Sequence, residues 1–270
     1  MKKLLFKTIR QMCQSGVLGF YYPSEFSIRT CLNWRLFKYE RSTIDYLKDL
    51  LRPGDVFVDI GAHIGYFAYY VGKLVGHNGR VFAFEPYPDN FKLLLKNCSK
   101  LPQVKAIQSA VSDSSGKTQL FIHTTSSSSH SLSDISRSNK SCLVPKVSLD
   151  EWGIKNNINR IDAVLIDVEG HELDVLRGMH NIINKNPGIC IIIEYCPSNW
   201  TNCNGDINML IEEIYNKIQF KIICALGQKR KYILSKLTSV QNISSILDEI
   251  LDNEVREEQK DYINIVINKV

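Results

Sequence analysis

From Pro53 onward, short apolar runs alternate with segments whose apolar residues recur at helical spacing, and this pattern narrows the fold more than any other feature. Val56–Ile60 is β-branched and apolar, and Ile64, Phe67, Ala68, Val71 and Val75 follow one face of a helix. Residues 80–85 read as a second strand. Pro88 and Asp89 then open a helix whose inner face is Phe91, Leu94, Leu95 and Cys98, and Val104–Ile107 reads as a third strand. Residues 161–166 and 188–193 are continuous apolar runs, the pattern of strands covered on both faces. Asp206 caps an amphipathic helix built on Ile207, Leu210, Ile211, Ile214 and Ile218, and Phe220–Leu226 and residues 262–267 close the series. Strands separated by helices argue for βαβ units and a parallel sheet, with right-handed crossovers. The expected fold is therefore α/β: a Rossmann-like, doubly wound sheet of about seven mostly parallel strands with helices on both faces.

Residues 53–270 are needed for this one domain, and residues 1–52 read as an N-terminal helical segment leading into it. Two runs near 118–124 and 143–149 break the alternation and read as a hairpin insertion near 118–149. Between them lies Thr124-Thr125-Ser126-Ser127-Ser128-Ser129-His130-Ser131. Such a stretch is most simply a flexible surface connection, and its place on an insertion also suits a substrate lid. Residues 248–258 carry six acidic side chains and read as the solvated face of a late helix.

Composition excludes several classes. With 44% hydrophobic and 23% charged residues, the 270-residue chain has ordinary globular composition, which excludes wholesale disorder. The net charge of +5 is uneven: residues 1–52 hold ten Lys/Arg and four Asp/Glu, against 23 and 24 in the rest. A nucleic-acid binder shows a dense basic patch, and a solvated helical face accounts for this bias better, so no nucleic-acid partner is expected. Lys7 and Arg10 interrupt the apolar run that a secretory signal needs, and nothing approaches eighteen apolar residues, so no transmembrane segment is expected. Leu5, Ile9 and Met12 form at most a weak peripheral face, more simply packed on the domain. The eight cysteines contain no C-x-x-C pair and sit largely in apolar runs, as in a reduced, cytoplasmic protein.

The most informative stretch is Val56-Phe57-Val58-Asp59-Ile60-Gly61-Ala62-His63-Ile64-Gly65-Tyr66-Phe67. A strand ends, glycine allows a tight turn close to a ligand, a second glycine lets the helix pack against the strand, and the helix N-terminus offers free N–H groups to an anionic ligand. The spacing is G-x-x-x-G rather than the dinucleotide G-x-G-x-x-G. Glu85 ends the second strand, where an acidic side chain can bind both ribose hydroxyls. Asp59, Gly61, Gly65 and Glu85 on consecutive strand ends thus imply an adenosine-type cofactor.

These residues, together with Phe84-Glu85-Pro86, Ala110-Val111-Ser112-Asp113 and Ile166-Asp167-Val168-Glu169-Gly170-His171-Glu172, resemble the FkbM-type methyltransferases, class I enzymes that use S-adenosylmethionine (SAM). The resemblance covers roughly residues 39–200. One departure is His63, where the family usually has asparagine. The resemblance implies that Asp59 and the Gly61–His63–Gly65 loop hold the methionyl end of SAM, that Glu85 holds the ribose, and that Ser109 and Ala110 flank the adenine. It also implies an antiparallel last strand at residues 262–267, an N-terminal segment folded over the cofactor, and an acceptor hydroxyl on a sugar, glycan or similar metabolite.

Asp167, Glu169, His171 and Glu172 emerge at the carboxyl edge of the sheet, where open α/β sheets bind ligands. Glu172 fits an ordinary helix start. Removing the proton of an alcohol requires a base, drawn here from Glu169 and His171, with Asp167 positioning cofactor or acceptor. Carboxylates with a histidine also suit Mg²⁺ or Mn²⁺, and Glu194 would complete such a set, yet carboxylates at strand ends recur in metal-free sites and no metal is assigned. The leading expectation is a SAM-dependent O-methyltransferase acting on a small-molecule or glycan acceptor. An NAD(P)-dependent oxidoreductase and a non-catalytic RNA-binding module are the alternatives. The sequence carries no sign of oligomeric state.

Overall fold

The computed structural model describes residues 11, 15–16, 20–36, 39–123, 126–134, 140–204, 212, 220–227, 230–234, 243–258 and 261–269. Two helices, α1 (Ile28–Arg35) and α2 (Arg41–Leu50), precede the alternating core of β1 (Val56–Ile60), α3 (Tyr66–Val75), β2 (Arg80–Phe84), α4 (Pro88–Cys98) and β3 (Val104–Ile107). The chain then builds β4 (Ala110–Val111), β5 (Gly116–Phe121), β6 (Ser141–Val147) and α5 (Leu149–Lys155). It returns through β7 (Ala163–Ile166), α6 (Glu172–Arg177), α7 (His180–Lys185), β8 (Cys190–Tyr195) and α8 (Pro197–Asn204). It ends with β9 (Phe220–Leu226), β10 (Lys231–Ile233), α9 (Ile243–Glu258) and β11 (Ile263–Lys269).

The main sheet has the order β10-β9-β11-β8-β7-β1-β2-β3. The run from β3 to β8 is parallel, whereas β11 is antiparallel to both its neighbours, as expected for the last strand. The short β10 adds an eighth strand as an antiparallel hairpin on β9. From β1 the chain steps outward to β2 and β3, then comes back to β7 on the other side of β1. Order therefore reverses between β1 and β7, and a doubly wound sheet opens a crevice at that point.

Apolar side chains explain why the central strands stay central. β1, β7 and β8 are buried along their whole length. Val58, Ile60, Val164, Ile166, Ile191 and Ile193 point to one face, against Trp152, Val175 and Leu176. Phe57, Ala163, Leu165 and Ile192 point to the other, against Leu47, Ala68 and Val71. Each large side chain so buried contributes about 1.5–3 kcal/mol.

The hairpin strands β5 and β6 pair antiparallel from Gly116↔Lys146 to Phe121↔Ser141 and form a small separate sheet with β4. The second of them stops short of the expected residue 149, because the Ser148 side chain accepts the Glu151 N–H and opens α5. Two expected faces are also revised. Leu95, assigned to the inner face of α4, is 48% exposed. The polar Asn90 and Asn97 are buried there instead. Asn97 accepts the Tyr21 N–H and donates to the Tyr21 and Ile64 carbonyls, so a helix face that looks polar in the sequence pins the N-terminal segment to the loop after β1. In α9, Glu254 is buried and accepts from the Tyr232 hydroxyl rather than lying on a solvated face. The helix read at Ile207–Ile218 and the face read at Leu5, Ile9 and Met12 lie outside the described residues.

Replacing Asn97 by Leu strands a buried amide and two carbonyls, and should cost about 1–3 kcal/mol in urea unfolding. Leu95→Gln should stay within about 0.5 kcal/mol of the parent chain, as an exposed change does. Equal costs for the two would reject this packing.

Candidate active site

The loop after β1 is shaped by three left-handed residues, Gly61 (φ 84°), His63 (φ 50°) and Gly65 (φ 87°). At Gly61 the glycine is required twice over. Its φ disfavours any side chain, and a Cβ there would collide with the carbonyl oxygen of Asp167. The Gly61 and Ala62 N–H groups both donate to the Phe84 carbonyl at 3.0 and 2.9 Å, which ties the loop to the end of β2. Gly65 ends the loop as the N-cap of α3. A Cβ on it would stand 2.6 Å from Leu94 Cδ1 and 3.2 Å from Cys98 Sγ, so this glycine serves helix–helix packing against α4 rather than packing against a strand. His63 is not a glycine, yet it holds a conformation that asparagine adopts more readily than most residues.

Glu85 emerges from β2 beside this loop. Its Oε2 accepts the His63 N–H at 2.9 Å and its Oε1 the Tyr87 N–H at 2.7 Å. Burial nevertheless pushes its pKa up to about 8, the two amides opposing the shift. Asp59 is also buried, and neither of its oxygens has a hydrogen bond of good geometry. Burial lifts it to about 7, opposed by the nearby Ala68 amide.

Above the switch point lie two adjoining cavities of about 250 and 410 Å³. Gly61, His63, Glu85, Ser109 and Ala110 line the smaller one, facing an aromatic wall of Phe26, Trp34, Tyr39 and Tyr66. In that wall Trp34 stacks on Tyr39 at 4.8 Å, and the Tyr66 hydroxyl donates to the Tyr39 carbonyl at 2.7 Å. The larger cavity is polar, with Ser129, Ser131, Glu194, Asn199, Asp261 and Tyr262 among its walls. Tyr39, Ser128, Asp167 and Glu169 face both cavities and separate them.

The partition is an acidic cluster. Asp167 follows β7, its N–H donating to the Ile60 carbonyl. Burial, then Glu169, hold its pKa well above the usual carboxylate range. Glu169 has φ 54°, an uncommon conformation for its type. Its Oε2 accepts from Asn199 Nδ2 at 2.6 Å, and its carbonyl accepts from Ser131 Oγ at 2.8 Å. Burial and the neighbouring Glu172 bring it to about 8. Glu194, on β8, is driven upward by burial and by Asp167. One oxygen from each of Asp167, Glu169 and Glu194 falls within a 4.8 Å group.

The sequence-derived residues therefore divide. Gly61, His63, Glu85, Ser109 and Ala110 meet in one cavity, with Asp167 and Glu169 at its far wall. Asp59 and Gly65 lie beneath the loop and line neither cavity. His171 is likewise apart from both, its Nδ1 on Asp174 at 3.1 Å and its Nε2 on Ser133 Oγ at 2.9 Å. Burial opposes its charge, but Asp174 and Cys203 hold its pKa at about 9. A histidine so held carries its proton at neutral pH. Glu172 accepts the Val168 and Gly170 N–H groups and fastens the loop. Asn199, Tyr39 and Tyr262 were not picked out as site residues, because only the docking of α8, the N-terminal segment and β11 brings them to the cavities. The serine-rich loop contributes Ser127, whose Oγ is 3.0 Å from His63 Nε2, and whose carbonyl accepts from Asn90.

Both strand-end loops and the small sheet fall within residues 59–234, which match the methyltransferase FkbM domain. The chain belongs to the FkbM methyltransferase family. It is 30% identical over 168 residues to the hexuronic acid methyltransferase AglP of Haloferax volcanii, an alignment covering 61% of this chain and 67% of the relative. Among solved structures it is similar to a methyltransferase FkbM from Methylobacillus flagellatus KT, at 16% identity and a TM-score of 0.40, over 77% of this chain and 52% of that one. It is also similar to Aeropyrum pernix fibrillarin, solved with S-adenosyl-L-methionine bound, at 13% identity and a TM-score of 0.47, over 84% of this chain and 74% of that one.

In this FkbM family member, burial and nearby His130 depress the His63 pKa to about 3. The unfolded chain takes up this proton below the ordinary value of about 6.5, whereas the folded chain resists it until about 3. Stability is therefore lost as pH falls from about 6.5 toward 3. His63→Asn removes that penalty and suits the left-handed backbone. Its stability relative to the parent should rise by about 1–2 kcal/mol between pH 7 and pH 5 in chemical denaturation. A pH-independent difference would reject a buried neutral His63.

Proposed function

We propose that this protein transfers a methyl group from SAM to a hydroxyl of a sugar or glycan. The observation that carries the reading is the pair of cavities sharing one carboxylate partition: a donor chamber framed by Gly61, His63 and Glu85, and a polar acceptor chamber beyond Asp167 and Glu169. The residues present suit SAM. The Glu85 carboxylate, held by two amides, is ready to accept the ribose hydroxyls, and Ser109 and Ala110 offer a small-residue slot for the adenine. The aromatic wall of Trp34, Tyr39 and Tyr66 presents π-faces to a cationic sulfonium. When bound, SAM supplies a methyl carbon on sulfur: the acceptor oxygen forms the O–CH₃ bond as the C–S bond breaks, and its electron pair stays on sulfur, giving neutral S-adenosylhomocysteine.

The chain's own task is to orient the acceptor and take its proton. Glu169 has the right location on the shared wall, and Asn199 fixes one of its oxygens. The hydroxyl proton passes to this carboxylate, with Asp167 orienting the pair. His171 is left a structural part, tying the loop to Asp174 and Ser133. The likeness to a hexuronic acid methyltransferase supports a sugar acceptor.

Titration with SAM, S-adenosylhomocysteine, NAD and NADP should raise the melting temperature with the first two alone; stabilisation by NAD without either SAM compound would reject the reading. Glu169→Gln should lower kcat about 10²–10⁴-fold on a glycoside acceptor while SAM binding persists. His171→Ala should retain most turnover, and the opposite ranking of these two variants would remove Glu169 as the proton acceptor.

A further inference from the structure

We propose that Asp167, Glu169 and Glu194 form a binding site for one divalent cation of the Mg²⁺ or Mn²⁺ class, set between the donor and acceptor chambers. The inference rests on the function proposed above and adds to it how the acceptor is held. Three carboxylates from β7, the loop after it and β8 bring one oxygen each within 4.8 Å of one another. On Mg²⁺ neighbouring ligand oxygens stand about 3 Å apart and opposite ones about 4.2 Å, so three oxygens within 4.8 Å of one another can close on one such ion by side-chain adjustment.

Glu194 gives the independent indication. Its residue is only 6% exposed, it lines the larger cavity, and its carboxylate has no hydrogen-bond or ion-pair partner among the described residues. An isolated ionised carboxylate in such a place is costly unless a cation meets it. No Lys or Arg occurs among the described residues lining that cavity. Glu85 and Glu172 each accept from two amides and Glu40 from the Tyr262 hydroxyl and Asn264 amide, while Asp59, buried without a hydrogen bond of good geometry, lines neither cavity. Glu194 combines the lack of a partner with a place on the wall of a cavity that can admit an ion.

Charge and geometry agree. Three carboxylates, a divalent cation and the sulfonium of SAM sum to zero. Three protein oxygens leave about three positions of an octahedral ion open to water or to neighbouring sugar hydroxyls. A hydroxyl on such an ion is a stronger acid, and a carboxylate oxygen of the cluster not on the ion receives its proton.

The test is Mn²⁺ binding by the full chain, read from the loss of the free-Mn²⁺ electron paramagnetic resonance signal, with and without SAM. One Mn²⁺ per chain should bind below about 1 mM and be displaced by Mg²⁺. Glu194→Gln should weaken it at least about tenfold, the lower end of what even an outer-sphere partner costs. Glu194 does not line the donor chamber, so the SAM thermal shift of this variant reports that it is folded. If the variant does not fold, Asp167→Asn should show the same loss of Mn²⁺. No Mn²⁺ uptake by the parent chain, or equal uptake by a folded variant, overturns the site. Mn²⁺ bound without any SAM shift would instead reject the proposed function and leave the cation site standing.

Discussion

The carbonyl of Asp167 occupies the space in which any side chain at residue 61 would stand. This contact joins the ends of β1 and β7 at the one place where strand order reverses, and the site follows from it. With Gly61 against Asp167, the loop after β1 bends toward β2, the Phe84 carbonyl collects two of its N–H groups, and Glu85 reaches the His63 amide. On the other side the same contact brings the Asp167–Glu169 loop up as a wall between two cavities. A residue larger than glycine at 61 would push the two strand-end loops apart together.

The sheet was legible because its strands are continuous apolar runs that burial demands, and because Asp59, Gly61, Gly65 and Glu85 fall in order on consecutive strand ends. Gly61, Glu85, Asp167 and Glu169 were legible for the same reason: polar or flexible residues that end apolar runs must emerge at the sheet edge. What the sequence hid depends on elements far apart in the chain. Tyr39 and Tyr262 share a 2.8 Å hydroxyl contact in the wall of the larger cavity, and neither has a local signature. Asn90 and Asn97 looked like the outer face of α4 but turn inward, since loop carbonyls and amides there need partners. His171 looked like a base by its position in the motif, while a three-residue step to Asp174 on the same helical turn claims its ring.

Two non-glycine residues of the site, His63 and Glu169, hold left-handed backbone, and each is fixed by its surroundings. The His63 amide is bound by Glu85 and its ring by Ser127; the Glu169 carbonyl and carboxylate are held by Ser131 and Asn199. Strain held in this way pre-sets a site before a ligand arrives. The serine-rich segment is thus more than a connection, because its hydroxyls and carbonyls anchor both strand-end loops.

A crystal structure with S-adenosylhomocysteine bound tests the central claim most directly. The account predicts adenine at Ser109 and Ala110, ribose hydroxyls on Glu85, and the sulfur against the Asp167–Glu169 partition, facing the larger cavity. A ligand seated in the larger cavity, or with its sulfur turned away from that partition, would contradict it.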